Sequence, residues 1–129
     1  MNELIEEAKK AREKAVATFS NYKVGAALRT TSGKIFHGCN VENATYGLTV
    51  CAERVALLSA IAQGERKFNA IAVVTQSDKP GTPCGPCRQL MWEFCGDIDV
   101  TTANLDGKTV EYKLSQLFPF PFDIKNLEE

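Results

Sequence analysis

The stretch Cys51-Ala52-Glu53, answered later in the chain by Pro83-Cys84-Gly85-Pro86-Cys87, restricts the fold more than any other feature of the sequence. Two cysteines separated by two residues reach one ion from adjacent loop and helix positions. A third thiol from a distant segment completes the set, so a fold that uses all three must bring residue 51 back against residues 84–87. Zn²⁺ takes cysteine sulfur at about 2.3 Å, and catalytic zinc sites use three protein ligands and keep one position open. Cys51, Cys84 and Cys87 are therefore candidate metal ligands. Glu53 is left beside them as a free carboxylate.

Composition narrows the class. A chain of 129 residues with 44% hydrophobic residues can bury a real core and reads as one domain, residues 1–129. A net charge of −1 and a pI near 5.9 argue against a nucleic-acid-coating surface. The acidic, polar start Met1-Asn2-Glu3-Leu4-Ile5-Glu6-Glu7 is unlike a secretory signal, and no apolar stretch is long enough to span a bilayer. The five cysteines form no regular framework, which favours metal or catalytic thiols over disulfides. A cytoplasmic location is the expectation.

Periodicity gives the elements. Leu4, Ile5, Ala8, Ala11 and Ala15 recur at three- and four-residue steps and predict a helix over 2–18 with a narrow alanine stripe. Residues 23–30 and 34–40 read as strands joined by Thr31-Ser32-Gly33, a hairpin, and 41–50 as an irregular polar loop. A second helix is expected over 51–63, apolar nearly all round and closed by Gly64, hence buried in the core or between subunits. The apolar run 69–75 predicts a strand covered on both faces. A third helix follows from about Gly85 to Cys95, then a strand over 98–104, an Asp106-Gly107 turn, a strand over 109–113 and a helical turn at 114–117. This order predicts an α/β fold, a three-layer α/β/α sandwich around a mixed, mainly five-stranded sheet.

In that layout Cys51 and the Cys84/Cys87 pair stand at helix N-termini, each equivalent to about half a positive charge. Three thiolates would leave a zinc ion with net −1 and a weak pull on water. The helix ends, and Arg54 donating to the same sulfurs, draw charge back and lower the thiol pKa values. Glu53, in the first turn of its helix, can swing toward the open position. There a carboxylate can take a proton from an attacking water and pass it on to a reacting group.

Other readings of these residues exist. Cys84-Gly85-Pro86-Cys87 also matches a thiol–disulfide redox motif at a helix start, although Thr82-Pro83 replaces the usual preceding Trp. A closed four-thiolate structural zinc site using Cys39 would leave Glu53 without a role. Cys39 and Cys95 otherwise read as buried free thiols, His37 as an exposed strand residue, and Met91 and Trp92 as core.

Several segments in order carry a resemblance: Val24-Gly25-Ala26-Ala27, Gly38-Cys39-Asn40-Val41-Glu42-Asn43, Cys51-Ala52-Glu53-Arg54 and Pro83-Cys84-Gly85-Pro86-Cys87-Arg88-Gln89. From about residue 15 to 122 the chain resembles the cytidine deaminases of the short, three-cysteine, homotetrameric kind. The Cys-x-Glu and Pro-Cys-x-x-Cys pair belongs to the general signature of zinc deaminases. The resemblance implies one Zn²⁺ per subunit on Cys51, Cys84 and Cys87, with Glu53 as proton shuttle and Arg54 buffering the thiolates. It further implies that Asn40 and Glu42 hold the ribose 3′-hydroxyl, and that backbone near Ala52 and Pro83 reads the pyrimidine edge. Asn40 and Glu42, two residues apart at a strand end, independently suit a diol. Tyr22 stands where the family has Phe against the nucleoside, so its hydroxyl needs a partner if buried. Phe122, within Phe118-Pro119-Phe120-Pro121-Phe122, matches an aromatic lent to a neighbouring subunit's site.

The expected reaction is hydrolytic deamination of cytidine and deoxycytidine in pyrimidine salvage, by a homotetramer with a nucleoside as substrate and no nucleic acid or membrane partner. Tyr22 motivates a rival, a related deaminase acting on blasticidin S or a modified cytosine nucleoside.

Overall fold

A computed structural model describes residues 2–127. Helix α1 (Asn2–Arg12) leads into strands β1 (Gly25–Thr30) and β2 (Ile35–Cys39), then helix α2 (Ala52–Ala62) and strand β3 (Phe68–Thr75). Helix α3 (Gly85–Cys95), strands β4 (Asp99–Asn104) and β5 (Thr109–Lys113) and the short helix α4 (Leu114–Leu117) complete the order. The sheet runs β2-β1-β3-β4-β5. Only β3 and β4 pair in parallel, and the other neighbours are antiparallel. The expected mixed five-stranded sheet is what the chain builds.

Alternation along the strands makes the layers. Ala26 and Leu28 of β1 and Ile71 and Val73 of β3 pack with Ala56 and Leu57 of α2 and Met91 of α3. Ala27, Ala70, Ala72 and Val74 turn to the opposite face and meet Leu4, Ile5 and Ala8 of α1. β3 is buried on both faces except at Asn69, as its apolar run predicts.

Two glycines set how closely helices approach the sheet. A Cβ at Gly25 would lie 2.1 Å from the Ala8 carbonyl oxygen and 2.6 Å from the Arg12 nitrogen. A Cβ at Gly38 would lie 2.1 Å from the Ala52 oxygen and 2.6 Å from the Ala56 nitrogen. The second contact seats the first turn of α2, and so Cys51 and Glu53, directly on β2.

The first helix is shorter than its periodicity predicts. It stops at Arg12, because the backbone beyond is used elsewhere. The Val16 N–H donates to Asn40 O (2.9 Å), and the Glu42 N–H donates to Val16 O (2.8 Å). Tertiary pairing therefore overrides local helix preference over 13–18. The loop 41–50 is also less irregular than expected, with Val41 bridged to both Val16 and Val50 and a 3₁₀ turn over Tyr46–Leu48. α2 is not buried all round in one chain: Ala52, Glu53, Ala56, Leu57 and Ala60 are buried, whereas Leu58 is 49% exposed. Among the described residues no helix is long and apolar enough to cross a membrane.

Candidate active site

Cys51 is the N-cap of α2 and Cys84 the N-cap of α3, with Cys87 in the first turn of α3 behind Pro86. Proline is tolerated there because the first-turn N–H groups lack intrahelical partners. The two helix starts face each other. The Cys51 and Cys84 sulfurs are 3.9 Å apart, the Cys84 and Cys87 sulfurs 3.3 Å, and all three lie within 4.8 Å of one another. Ligands at about 2.3 Å around a tetrahedral ion sit roughly 3.8 Å apart, so this triangle fits one zinc.

The donor chemistry fits as well. The Cys87 and Cys84 thiols donate to Cys51 and, aided by Arg54, hold the Cys51 thiol down to about 5 against the opposing effect of burial. Cys87, donating to that thiolate and desolvated, is pushed strongly upward. The cluster thus favours the thiolate form at Cys51.

Glu53, in the first turn of α2, is only 5% exposed. Burial pushes its carboxyl up to about 7, with the neighbouring Cys51 charge acting in the same direction. Its own N–H and the Cys87 thiol bond it and oppose that rise. Arg54 donates through Nη2 to Thr49 O (3.2 Å), and its buried Nε has no hydrogen-bond partner among the described residues.

Cys39 lies outside the sulfur cluster among the described residues, so the four-thiolate reading through Cys39 is not supported. The Cys84/Cys87 pair is one edge of a three-sulfur triangle and not an isolated redox pair. His37 points at Glu7 (Nε2 to Oε1, 3.0 Å) on the exposed side of β2. Cys39 and Cys95, expected to be buried, are each only partly buried, and desolvation pushes the Cys95 thiol up to about 12.

A cleft of about 310 Å³ opens above the cluster, lined in part by Tyr22, Asn40, Glu42, Ala52, Glu53 and Cys84. Asn40 and Glu42 thus share one cavity with the candidate ligands, but both already serve the protein. The Asn40 Oδ1 accepts the Val24 N–H (2.8 Å) and its Nδ2 donates to Tyr22 O (2.8 Å). The Glu42 Oε1 accepts the N–H groups of Phe19 and Ser20 (both 2.9 Å), and Oε2 accepts the Ser20 hydroxyl. These donors, the Ser20 hydroxyl foremost, hold the Glu42 carboxyl below the usual range. The Tyr22 hydroxyl finds its partner in Ser77.

Phe122 is not among the side chains lining this cleft; it is 51% exposed, with its backbone clasped by Gln89. The Phe122 N–H donates to Gln89 Oε1 (3.1 Å) and Gln89 Nε2 donates to Phe122 O (2.8 Å). Arg88 was given no role by the sequence. It donates through Nε to Pro83 O (2.7 Å) and through Nη2 to Thr82 Oγ1 (2.9 Å), bracing the loop just before Cys84. Its place beside Cys87 in the motif was the only signal.

Residues 1–102 match the family described as the cytidine and deoxycytidylate deaminase zinc-binding region. The chain belongs to this family. A cytidine deaminase of Sporosarcina psychrophila is 45% identical over 128 residues, covering 98% of this chain and 94% of the relative. A crystal structure of cytidine deaminase from Burkholderia pseudomallei superposes with a TM-score of 0.91 at 53% identity, covering 94% of this chain and 98% of that one. A blasticidin-S deaminase of Bacillus cereus is 32% identical over 122 residues, 87% of this chain and 86% of the relative. In zinc deaminases generally the glutamate is not a zinc ligand and acts as general acid and base. In this deaminase Glu53 stands outside the sulfur triangle and against it.

Proposed function

We propose that the protein catalyses hydrolytic deamination of cytidine and deoxycytidine to uridine and deoxyuridine with release of ammonia, a step of pyrimidine salvage. The observation that carries this reading is the buried Glu53 beside the Cys51/Cys84/Cys87 triangle, at a cleft that also holds Asn40 and Glu42. Cys51, Cys84 and Cys87 would hold one zinc per chain, and zinc supplies the Lewis acidity that lets water attack the pyrimidine C4 near neutral pH. Glu53 takes one proton of the attacking water and delivers it to N3, then takes the remaining hydroxyl proton of the C4 adduct and delivers it to the departing amine, so that both protons of the water are placed. Its elevated pKa suits both directions of transfer. Arg54 and the two helix N-termini buffer the sulfur charge. Asn40 and Glu42 present their remaining hydrogen-bonding capacity to the ribose 3′-hydroxyl, backbone near Ala52 and Pro83 reads the ring edge, and Tyr22 forms a wall.

Residues 1–129 work as one nucleoside deaminase domain, and the working assembly is a homotetramer in the cytoplasm. The exposed Leu58, Phe120 and Phe122 support association, with Phe122 offered to a neighbouring chain's cleft. The five cysteines, none of them bridged to another, suit a reducing compartment. Zinc analysis and a cytidine absorbance assay on the same gel-filtered sample test the reading. One zinc per chain, turnover and a tetramer are expected. A zinc-loaded protein with no cytidine turnover overturns the substrate, and turnover of blasticidin S alone in a nucleoside panel favours the rival.

A further inference from the structure

The Tyr22 side chain ends in an unusual place for a residue that lines the cleft. Its hydroxyl pairs with the Ser77 hydroxyl, which lies 3.5 Å from Thr75 Oγ1. Thr75 Oγ1 in turn accepts the Gly81 N–H (3.4 Å). The tyrosine oxygen also packs on this loop, since a Cβ at Gly81 would lie 3.6 Å from it. Thr82 and Pro83, next in the loop, are braced by Arg88, and Cys84 follows. On its other side the Tyr22 backbone is fixed by Ser20 Oγ (3.0 Å from its N–H) and by Asn40 Nδ2 (2.8 Å from its carbonyl oxygen). One continuous set of bonds thus joins the Glu42–Ser20 turn, the entry to β1 and the loop that delivers Cys84.

We propose that the Tyr22–Ser77 pair is a positioning device: it fixes the tyrosine ring as a wall of the cleft and ties that wall to loop 76–82. The hydroxyl is spent on Ser77 and is not offered to a ligand. Tyr22 therefore presents an aromatic surface to the nucleoside without adding a polar group to the pocket. As a statement about substrate, this inference rests on the deaminase reading. As a statement about the loop, it stands on the hydrogen bonds alone.

Removing the pair leaves the rest of the segment held. Gln76 Nε2 donates to Asn21 O (3.2 Å), Arg12 Nη2 donates to Gln76 Oε1 (2.9 Å), and Arg12 Nε donates to Lys23 O (3.1 Å). Tyr22→Phe and Ser77→Ala should therefore fold and keep zinc. A wall that touches the ring in ground and transition states alike changes KM more than kcat. A single lost hydrogen bond corresponds to roughly a three- to tenfold effect.

The experiment is a double-mutant cycle on the full chain with two readouts. The first is cytidine turnover, with cytidine affinity measured in the Glu53→Gln background. Each single variant is expected to raise KM and Kd about three- to tenfold with kcat changed less than about twofold, and the double variant to go no further. The second is hydrogen exchange of the 76–82 segment without ligand, expected to accelerate equally in both singles and in the double. Unchanged exchange, or singles whose effects add, overturns the pair as a device. Accelerated exchange with unchanged cytidine affinity in an active enzyme overturns its role toward the substrate. A wild-type protein that ignores cytidine refutes the deaminase reading and leaves the loop measurement to decide the pair.

Discussion

The two sides of the cleft are built on different principles. The floor is local: Cys51, Glu53 and Arg54 lie within one helix start, and Cys84 and Cys87 within another. Five short-range choices, two N-caps and three first-turn residues, place the chemistry once α2 is seated on Gly38. The wall is distributed: Ser20 and Tyr22 precede β1, Asn40 and Glu42 follow β2, and Ser77 follows β3. No two of these segments touch until the sheet is made. A floor of few parts concentrates function in single residues. A wall of many bonds spreads it, so single losses there act as increments.

The comparison is tested hardest at Cys87, whose thiol is fully buried. Cys87→Ala leaves two sulfurs for a zinc that takes three. Changes to groups that merely orient ligands cost about 10–100-fold in metal affinity, so loss of a ligand should exceed that. Zinc content close to zero and no turnover are expected by metal analysis and the cytidine assay. A variant that keeps stoichiometric zinc would show that another side chain completes the site and that the floor is less local than described.

Glu53→Gln comes next. It preserves volume at a buried position and removes the exchangeable proton, so zinc content and fold should persist. Turnover should fall about a hundred- to ten-thousandfold, the usual size of a general acid–base contribution. Retained activity would remove Glu53 from the reaction and shift the proton transfer to the wall.

The same division decides what the sequence could show. Cys51, Glu53, Cys84 and Cys87 were legible because thiol ligands at helix starts follow from spacing and local geometry. The layers followed from the order of helices and strands, and the central place of β3 from its continuous apolar run, covered on both faces. The end of α1 was not legible, because Val16 gives up helical bonding for Asn40 and Glu42, an exchange no local pattern records. Arg88, Ser77 and Gln89 were missed for the same reason: each is polar, near a loop and unremarked until its distant acceptor is in place. Tyr22 showed in the sequence as a hydroxyl in need of a partner, but not that Ser77 would be that partner.

Asn40 separates the two principles in one residue, with the smallest effect of the three. The family resemblance assigns it to the ribose, whereas its side chain here joins the Val24 N–H to the Tyr22 carbonyl. If it is structural as well as ligand-binding, Asn40→Ala removes both bonds and leaves two partly buried backbone groups unpaired. The cost is about 2 kcal/mol, a fall in Tm on the order of 5–10 °C for a domain of this size, accompanied by a raised KM. Asn40→Asp retains the acceptor for Val24 but not the donor for Tyr22, and should recover about half of the stability. Thermal unfolding of the two variants with zinc bound is the measurement. A raised KM with unchanged Tm in both would make Asn40 a contact to substrate only, and the wall would then be assembled as locally as the floor.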